Sequence, residues 1–277
     1  MRIAGEQVCA ARGVVTHPPT VGGTEGPCKP RTMGYNGGMH DPGFIILYEQ
    51  GPCLVVHKPP GLLTQAPAGI DSLELRIRNY VRVRDSRVGK VYLGVPHRLD
   101  RPASGVMIFT TLSRATRRIG KQFERRQVRK TYWAVVEGIV DPPQGTWRDH
   151  MWKVTGEPRA EIIPPEHPEA RLAVLHYRTR AVLGQRTWLE IELETGRTHQ
   201  IRLQAGSRGH AILGDRQYGS TVPFGTQFED ERLRAIALHA RQIEFQHPMT
   251  KEAVSVSADP SADWPISPAM KSAARSA

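Results

Sequence analysis

Asp100 stands between two guanidinium side chains, Arg98 and Arg101, in the stretch Val95-Pro-His-Arg-Leu-Asp-Arg-Pro-Ala-Ser-Gly105. Nearby positive charge favours the charged form of a carboxyl group. An ionised aspartate is a poor acid near neutral pH, yet it can act as a nucleophile. Pro96 and Pro102 stiffen the backbone on both sides, because proline fixes φ and offers no N–H donor. Gly105 then opens the apolar run Val106 to Phe109, short enough to be a buried strand. The carboxylate is therefore expected on a rigid loop that leads into the core. The plainer reading is a turn aspartate bonding its own backbone.

Other chemistries find little support in the residue pattern. Ser104 lacks the Gly-x-Ser-x-Gly elbow of a hydrolase nucleophile. No GK[ST] loop and no GxGxxG after a strand offers a phosphate cradle. There are 11 histidines but no HExxH or similar spacing, so no metal centre is expected, and His199 and His210 read as structural. The 3 cysteines, Cys9, Cys28 and Cys53, are far apart and form no CxxC pair, which argues against a disulfide framework.

The elements that must position Asp100 can be sketched from periodicity. Phe44 to Tyr48 and Cys53 to His57 are short β-rich runs around Gln50-Gly-Pro52, a hairpin pattern. After Lys58-Pro-Pro-Gly-Leu-Leu-Thr-Gln65, Asp71 or Ser72 can cap a helix to about Arg84, with Leu73, Ile77, Tyr80 and Val81 on one face. Ser113 can cap a second helix to about Arg126, with Ala115, Ile119 and Phe123 as its apolar stripe. From Arg114 to Lys130 there are eight basic residues and one acid, Glu124, too lopsided for a merely solvated face and suited to phosphate contacts.

Lys130 to Gly138 reads as a strand that points Tyr132, Ala134 and Val136 one way and Thr131, Trp133 and Val135 the other. Residues 141–169, rich in Pro and Gly, read as an irregular excursion. Strands resume over 171–182 and 187–194, joined by the small turn Leu183-Gly-Gln-Arg186. Leu189, Ile191 and Leu193 alternate there with Glu190, Glu192 and Glu194, one face buried and one wet. Thr198 is expected to cap a helix to Gly206, with Arg202 one turn on and on the same face. Residues 209–219 read as a strand and turn with Asp215 in the turn, and 235–247 and 253–257 complete the sheet. Strands outnumber helices and hairpins dominate, so the expected class is α+β with a mixed, largely antiparallel central sheet flanked by helices and loops. Residues 1–42 read as a flexible N-terminal extension, 43–258 as one folded domain and 259–277 as a flexible C-terminal tail.

Composition narrows the partner. The chain has 277 residues, 23% charged and 39% hydrophobic, which suits a globular protein with a sizeable core. A net charge of +11 favours polyanions. The N-terminus lacks the apolar stretch of a signal peptide, and no apolar run approaches the length that spans a bilayer. A cytoplasmic monomer that does not engage membranes is the expectation.

Four segments, in order, carry a resemblance. His97-Arg-Leu-Asp-Arg-Pro-Ala-Ser-Gly105 resembles the HRLDxxTSG motif of RluA-type pseudouridine synthases. Leu54 to Leu62 resembles their entry strand and KPxG loop, and Arg129 to Gly138 their KxYxAxVxG strand. Gly196-Arg-Thr-His-Gln-Ile-Arg202, with Gly209-His-Ala-Ile-Leu-Gly-Asp215, resembles GRTHQIRxH…GHPILGD. Ala103, Ala211 and Gln204 depart from the usual Thr, Pro and His without removing a charged group. The S4 RNA-binding domain of many relatives has no counterpart in residues 1–42, which leaves RNA recognition to the catalytic domain or a partner.

The resemblance implies the pseudouridine synthase fold and isomerisation of uridine to pseudouridine in ribosomal or transfer RNA, with no metal or organic cofactor. It implies that Asp100 is the catalytic carboxylate, attacking C1′ or assisting deprotonation of the sugar. Tyr132 would stack on uracil and help remove the C5 proton, and Arg202 would pair with Asp100. Arg98, Arg101, Lys58, Arg117, Arg118, Arg125, Arg197 and His199 are the expected RNA-binding residues. Two alternatives remain at this point: a non-catalytic RNA-binding module on the same fold, and a nucleoside or glycoside hydrolase. The latter normally needs a second carboxylate opposite the first.

Overall fold

The computed structural model describes residues 42–266 and residue 270. The expectation of a flexible segment over 1–42 falls, but for residue 42, outside the described residues.

The chain enters with the hairpin β1 (Ile45–Gln50) and β2 (Cys53–Lys58), followed by helix α1 (Leu73–Arg84). Ser72 caps α1 by accepting from the Leu75 N–H at 3.2 Å, and Leu73, Ile77 and Val81 form its buried stripe, as their 3.6-residue spacing predicts. The candidate loop leads into β3 (Ser104–Thr110), and α2 (Ser113–Glu124) packs against that strand. Ser113 is the first residue of α2 rather than its cap, and Leu112 in the cap position makes no side-chain bond. Gln122 instead secures the helix end, its amide exchanging two 2.8 Å hydrogen bonds with the backbone of Gln246.

Strand β4 (Arg129–Glu137) is buried on both faces from Tyr132 to Val136. The segment expected to be irregular contains β5 (Gln144–Lys153) and β6 (Ala160–Ile162). Trp147 and Met151 are the buried residues of β5, and the prolines of that region flank the strand instead of interrupting it. A hairpin of β7 (Arg171–Val182) and β8 (Arg186–Leu193) follows, then the short helix α3 (Gln200–Gly206). Residues 209–219 supply one isolated bridge, Ile212 to Val136, and a 3-10 turn over Arg216–Tyr218, so they form a folded loop rather than a strand. Strands β9 (Leu238–Gln246) and β10 (Ala253–Ser257) close the sheet.

The sheet runs β1-β2-β3-β9-β4-β8-β7-β5-β6, with β10 paired to β9. Every pairing is antiparallel except β3 with β9, so the expected mixed, largely antiparallel α+β architecture is what forms. That parallel pair registers only Ser104 with His239 and Gly105 with Ala240, and the backbone before Ser104 is free to form a loop. The C-terminal tail does not fray where it is described. Ala258, Trp264 and Ile266 are buried, and Trp264 sets its ring edge-on to Phe224 and His239, both at 6.0 Å.

Gly105 makes the close strand approach possible. Its φ is +124°, and a Cβ there would lie 2.3 Å from the Ala240 carbonyl oxygen and 2.5 Å from its nitrogen. Gly105→Ala is therefore expected to lower unfolding free energy by about 3 kcal/mol or more, since backbone atoms cannot yield as a flexible side chain does. Chemical denaturation measures this. A loss below about 1 kcal/mol would mean that β3 and β9 can separate at little cost.

Candidate active site

The part of the loop that carries Asp100, Leu99 to Ala103, is held through its backbone. The Thr64 hydroxyl donates to the Leu99 carbonyl at 2.8 Å and accepts from the Leu99 N–H at 3.3 Å. The Lys58 ammonium donates to the carbonyls of Pro59, Arg101 and Ala103 at 2.9, 3.1 and 2.8 Å. Gly61 and Arg101 exchange two bonds, Gly61 N–H to the Arg101 carbonyl and Arg101 Nε to the Gly61 carbonyl. Farther back, His97 Nε2 accepts from the Ile108 N–H at 2.9 Å, which requires the neutral Nδ1–H tautomer. Burial, with the Lys130 charge nearby, pushes this imidazole down to about 3. All these contacts spare the Asp100 carboxylate, which faces a cleft of about 600 Å³ with 17% of its side chain exposed.

Tyr132 comes from β4 and Arg202 from α3, and both line the same cleft. Arg202 is buried, and it pairs with Asp100 as expected, though more loosely than with a second carboxylate, Asp215. Its Nε and one Nη donate to the two carboxylate oxygens of Asp215 at 2.6 and 2.8 Å, while its other Nη lies 3.4 Å from Asp100. Gln217 takes a further bond from the guanidinium at 2.8 Å, and the Tyr218 ring lies under it at 5.0 Å. Asp215, expected in a turn, does precede the 3-10 turn, but its side chain makes no capping bond there, and its buried carboxylate is the principal partner of Arg202. A fork-to-fork pair of this kind fixes the guanidinium plane. Burial, together with the Asp100 charge, raises the Tyr132 phenol above its ordinary range, so it carries its proton.

Thr198 does not cap α3. His199 occupies the cap position in the left-handed region, with φ 54°, and makes no capping bond. The turn before it is tied by Gln200, whose side-chain oxygen accepts from the Thr195 hydroxyl and the Arg197 N–H at 2.8 and 3.0 Å. A left-handed non-glycine residue costs about 1–2 kcal/mol. The surroundings hold it there: His199 Nδ1 is 2.8 Å from the Tyr218 hydroxyl, and Nε2 is 3.7 Å from Asp100.

Of the expected RNA-binding residues, Arg98, Arg197 and His199 line the cleft with Asp100, Tyr132 and Arg202. Lys58 does not face solvent. It is fully buried, burial pulls its ammonium down to about 7, and its three donors are spent on loop carbonyls, so it serves the loop. Arg101 likewise directs its Nε inward, to the Gly61 carbonyl. Arg118 donates to the Pro248 carbonyl at 2.7 Å, whereas Arg117 and Arg125 are exposed on the outer side of α2. His199 has only 9% of its side chain exposed, and both ring nitrogens face protein groups. Lys130, counted in the basic run 114–130 but not named among the RNA-binding residues, lines the cleft beside the Phe123 ring at 5.8 Å. Among the described residues no carboxylate lies within ion-pair distance of it, and no cluster of His, Cys, Asp and Glu is arranged for a metal ion. Nor is any described helix long and apolar enough to cross a membrane.

Residues 52–207, more than half of the chain, match the RNA pseudouridylate synthase family. The chain belongs to that family. The match takes in the Asp100 loop, β4 and α3, and so the three elements that meet at the cleft. A ribosomal large subunit pseudouridine synthase D from Xanthomonas campestris is 34% identical over 220 residues, covering 77% of this chain and 65% of that one. The chain thus spans just under two thirds of that relative's length. A tRNA pseudouridine synthase C from Salmonella typhi is 30% identical over 236 residues, covering 79% of this chain and 86% of that protein. Among solved structures, human RNA pseudouridylate synthase domain containing 4 superposes with a TM-score of 0.64 at 20% identity, covering 79% of this chain and 89% of that one, which shows the shared fold.

Proposed function

We propose that this family member isomerises specific uridines to pseudouridine in ribosomal or transfer RNA, with Asp100 as the catalytic carboxylate. The observation that carries this reading is the placement of Asp100, on a loop fixed by backbone contacts that leave its carboxylate free to face the cleft. Isomerisation breaks N1–C1′ and joins C5 to C1′. C5 loses a proton and N1 gains one, so no outside oxidant or reductant is needed. Asp100 either attacks C1′ or takes the C2′ proton, and both routes need an oxygen held still against the sugar. Tyr132, buried and carrying its proton, suits stacking on the base and passing a proton through its hydroxyl; it does not suit acting as a phenolate. A uridine in a helix must first be extruded, at a cost of a few kcal/mol that phosphate contacts offset. Arg98, Arg197 and Lys130 are among the cleft cations placed to supply them, beside Arg126 and Arg129, which also meet Glu194 and Glu244.

The hydrolase reading needs a second carboxylate opposite the first. Asp215 is tied through both oxygens to Arg202, and Glu194, which lines the cleft with Glu192, is held by Arg126. A transcript labelled with tritium at uridine C5 separates the readings. Isomerisation releases tritium to water and leaves pseudouridine in the chain. Free uracil would indicate hydrolysis, and neither product a binding module.

If RNA also runs along α2, affinity should fall steeply with salt, by roughly 0.7–0.9 log units per log unit of salt for each neutralised phosphate. Replacing exposed Arg117 and Arg125 by Gln should flatten that slope by about 1.4 to 1.8 units. An unchanged slope would place the RNA elsewhere, along the arginines of α1.

A further inference from the structure

We infer that His199 and Tyr218 form a positioning pair for Asp100, in which Tyr218 sets the tautomer of His199 so that its Nε2–H faces the carboxylate. The inference rests on Asp100 being the reactive group, and it adds two residues to that site.

The argument is one of donors and acceptors. The Tyr218 oxygen already accepts the Ala160 N–H at 3.0 Å. Its own hydroxyl hydrogen then needs an acceptor, and His199 Nδ1 is 2.8 Å away. If the phenol donates to Nδ1, the proton of a neutral imidazole must sit on Nε2. Nε2 lies 3.7 Å from Asp100 Oδ1, on the opposite carboxylate oxygen from Arg202 Nη1, which is 3.4 Å from Oδ2. Asp100 thus has a neutral donor on one oxygen and a cation on the other. Both distances are long for hydrogen bonds, as is common before substrate closes a site.

The groups around the imidazole agree with a neutral ring. Asp100 and Asp215 favour its protonation, while burial, Arg202 and Arg98 oppose it, and burial is the largest influence. The ring is also fixed in place. It stands edge-on to Tyr218 at 5.6 Å, on a backbone turned to φ 54°. Tyr218 in turn lies against the Arg202 guanidinium at 5.0 Å, so one phenol braces both partners of the carboxylate. A side chain meant to grip RNA would project into the cleft with a free end. This one is 9% exposed, bonded through Nδ1 to Tyr218 and turned through Nε2 towards Asp100.

The test uses the full chain with histidine labelled by nitrogen-15, and the variants His199→Asn and Tyr218→Phe. Asparagine tolerates the left-handed backbone better than other non-glycine residues, so the turn should survive. The His199 signals, identified by their loss in His199→Asn, should report the Nε2–H tautomer, and Tyr218→Phe should shift them away from it. That readout holds whatever Asp100 does in catalysis. At saturating enzyme, each variant should slow single-turnover product formation by about 10- to 100-fold while RNA affinity stays within about twofold. Adding Tyr218→Phe to His199→Asn should slow it little further, because the phenol acts on rate through the imidazole. An Nδ1–H or doubly protonated ring would overturn the inference. So would a variant pattern of weakened RNA binding with an unchanged rate, which would return His199 to the RNA-contacting set. Should Asp100→Asn retain activity, the assignment of Asp100 fails, a different result from either of these.

Discussion

Asp100→Asn is expected to fold, bind RNA and give no measurable tritium release or pseudouridine, a loss of at least about a thousandfold. Asparagine matches the shape of aspartate but offers neither a nucleophilic oxygen nor a base. The loop should not notice the change. Thr64 holds Leu99, Lys58 holds the carbonyls of Arg101 and Ala103, and the Ile236 N–H bonds the Pro102 carbonyl at 3.2 Å. Nor does Arg202 lose its main support, since Asp215 keeps it at 2.6 and 2.8 Å. Melting temperature and RNA affinity should therefore stay close to wild type while chemistry stops. A variant that kept activity within tenfold would remove Asp100 from the reaction, and Tyr132 and Arg202 would lose their reason to face it.

Much of this arrangement is written locally in the chain. The stripe of α1, the two-faced β4, the hairpin of β7 and β8 and the rigid loop bearing Asp100 all follow from periodicity and from proline and glycine placement. What eluded that reading depends on partners far along the chain. Lys58 beside two prolines looks like a loop cation. Only folding brings it the carbonyls of Arg101 and Ala103, more than forty positions later. The prolines and glycines of residues 141–169 suggested irregularity, yet Trp147 packs on Tyr177 with ring centres 4.7 Å apart and anchors β5. A tail of small polar residues was expected to fray. Trp264 and Ile266 are its signal for burial, and they count because Phe224 and His239 meet that tryptophan. Arg202 was legible as a partner of a carboxylate, but which carboxylate it holds most tightly depends on how the 209–219 loop folds back.

That last point carries the second large effect. Asp215→Asn is expected to lower stability by about 2–4 kcal/mol, because it leaves the buried Arg202 guanidinium without its bidentate partner. Single-turnover rate should fall by about a hundredfold or more, since misplacement by about 1 Å at a reacting centre costs that much. The cause is geometric. With Asp215 neutral, Asp100 becomes the remaining carboxylate of the guanidinium, and Arg202 is drawn from 3.4 Å towards a closer pair with it. A carboxylate gripped in that way is a weaker nucleophile and a weaker base. RNA affinity should change little, because Arg98, Arg197 and Lys130 are untouched. The competing account makes Asp215 a turn residue only. Asparagine serves a turn as well as aspartate does, and the bonds that close this turn, from the N–H groups of Tyr218 and Ser220 to the Asp215 carbonyl, are backbone bonds that survive the change. That account therefore predicts wild-type melting and a wild-type rate. Denaturant unfolding and single-turnover kinetics on the same preparation decide between them, and finding both unchanged would make Asp100 the partner that matters to Arg202.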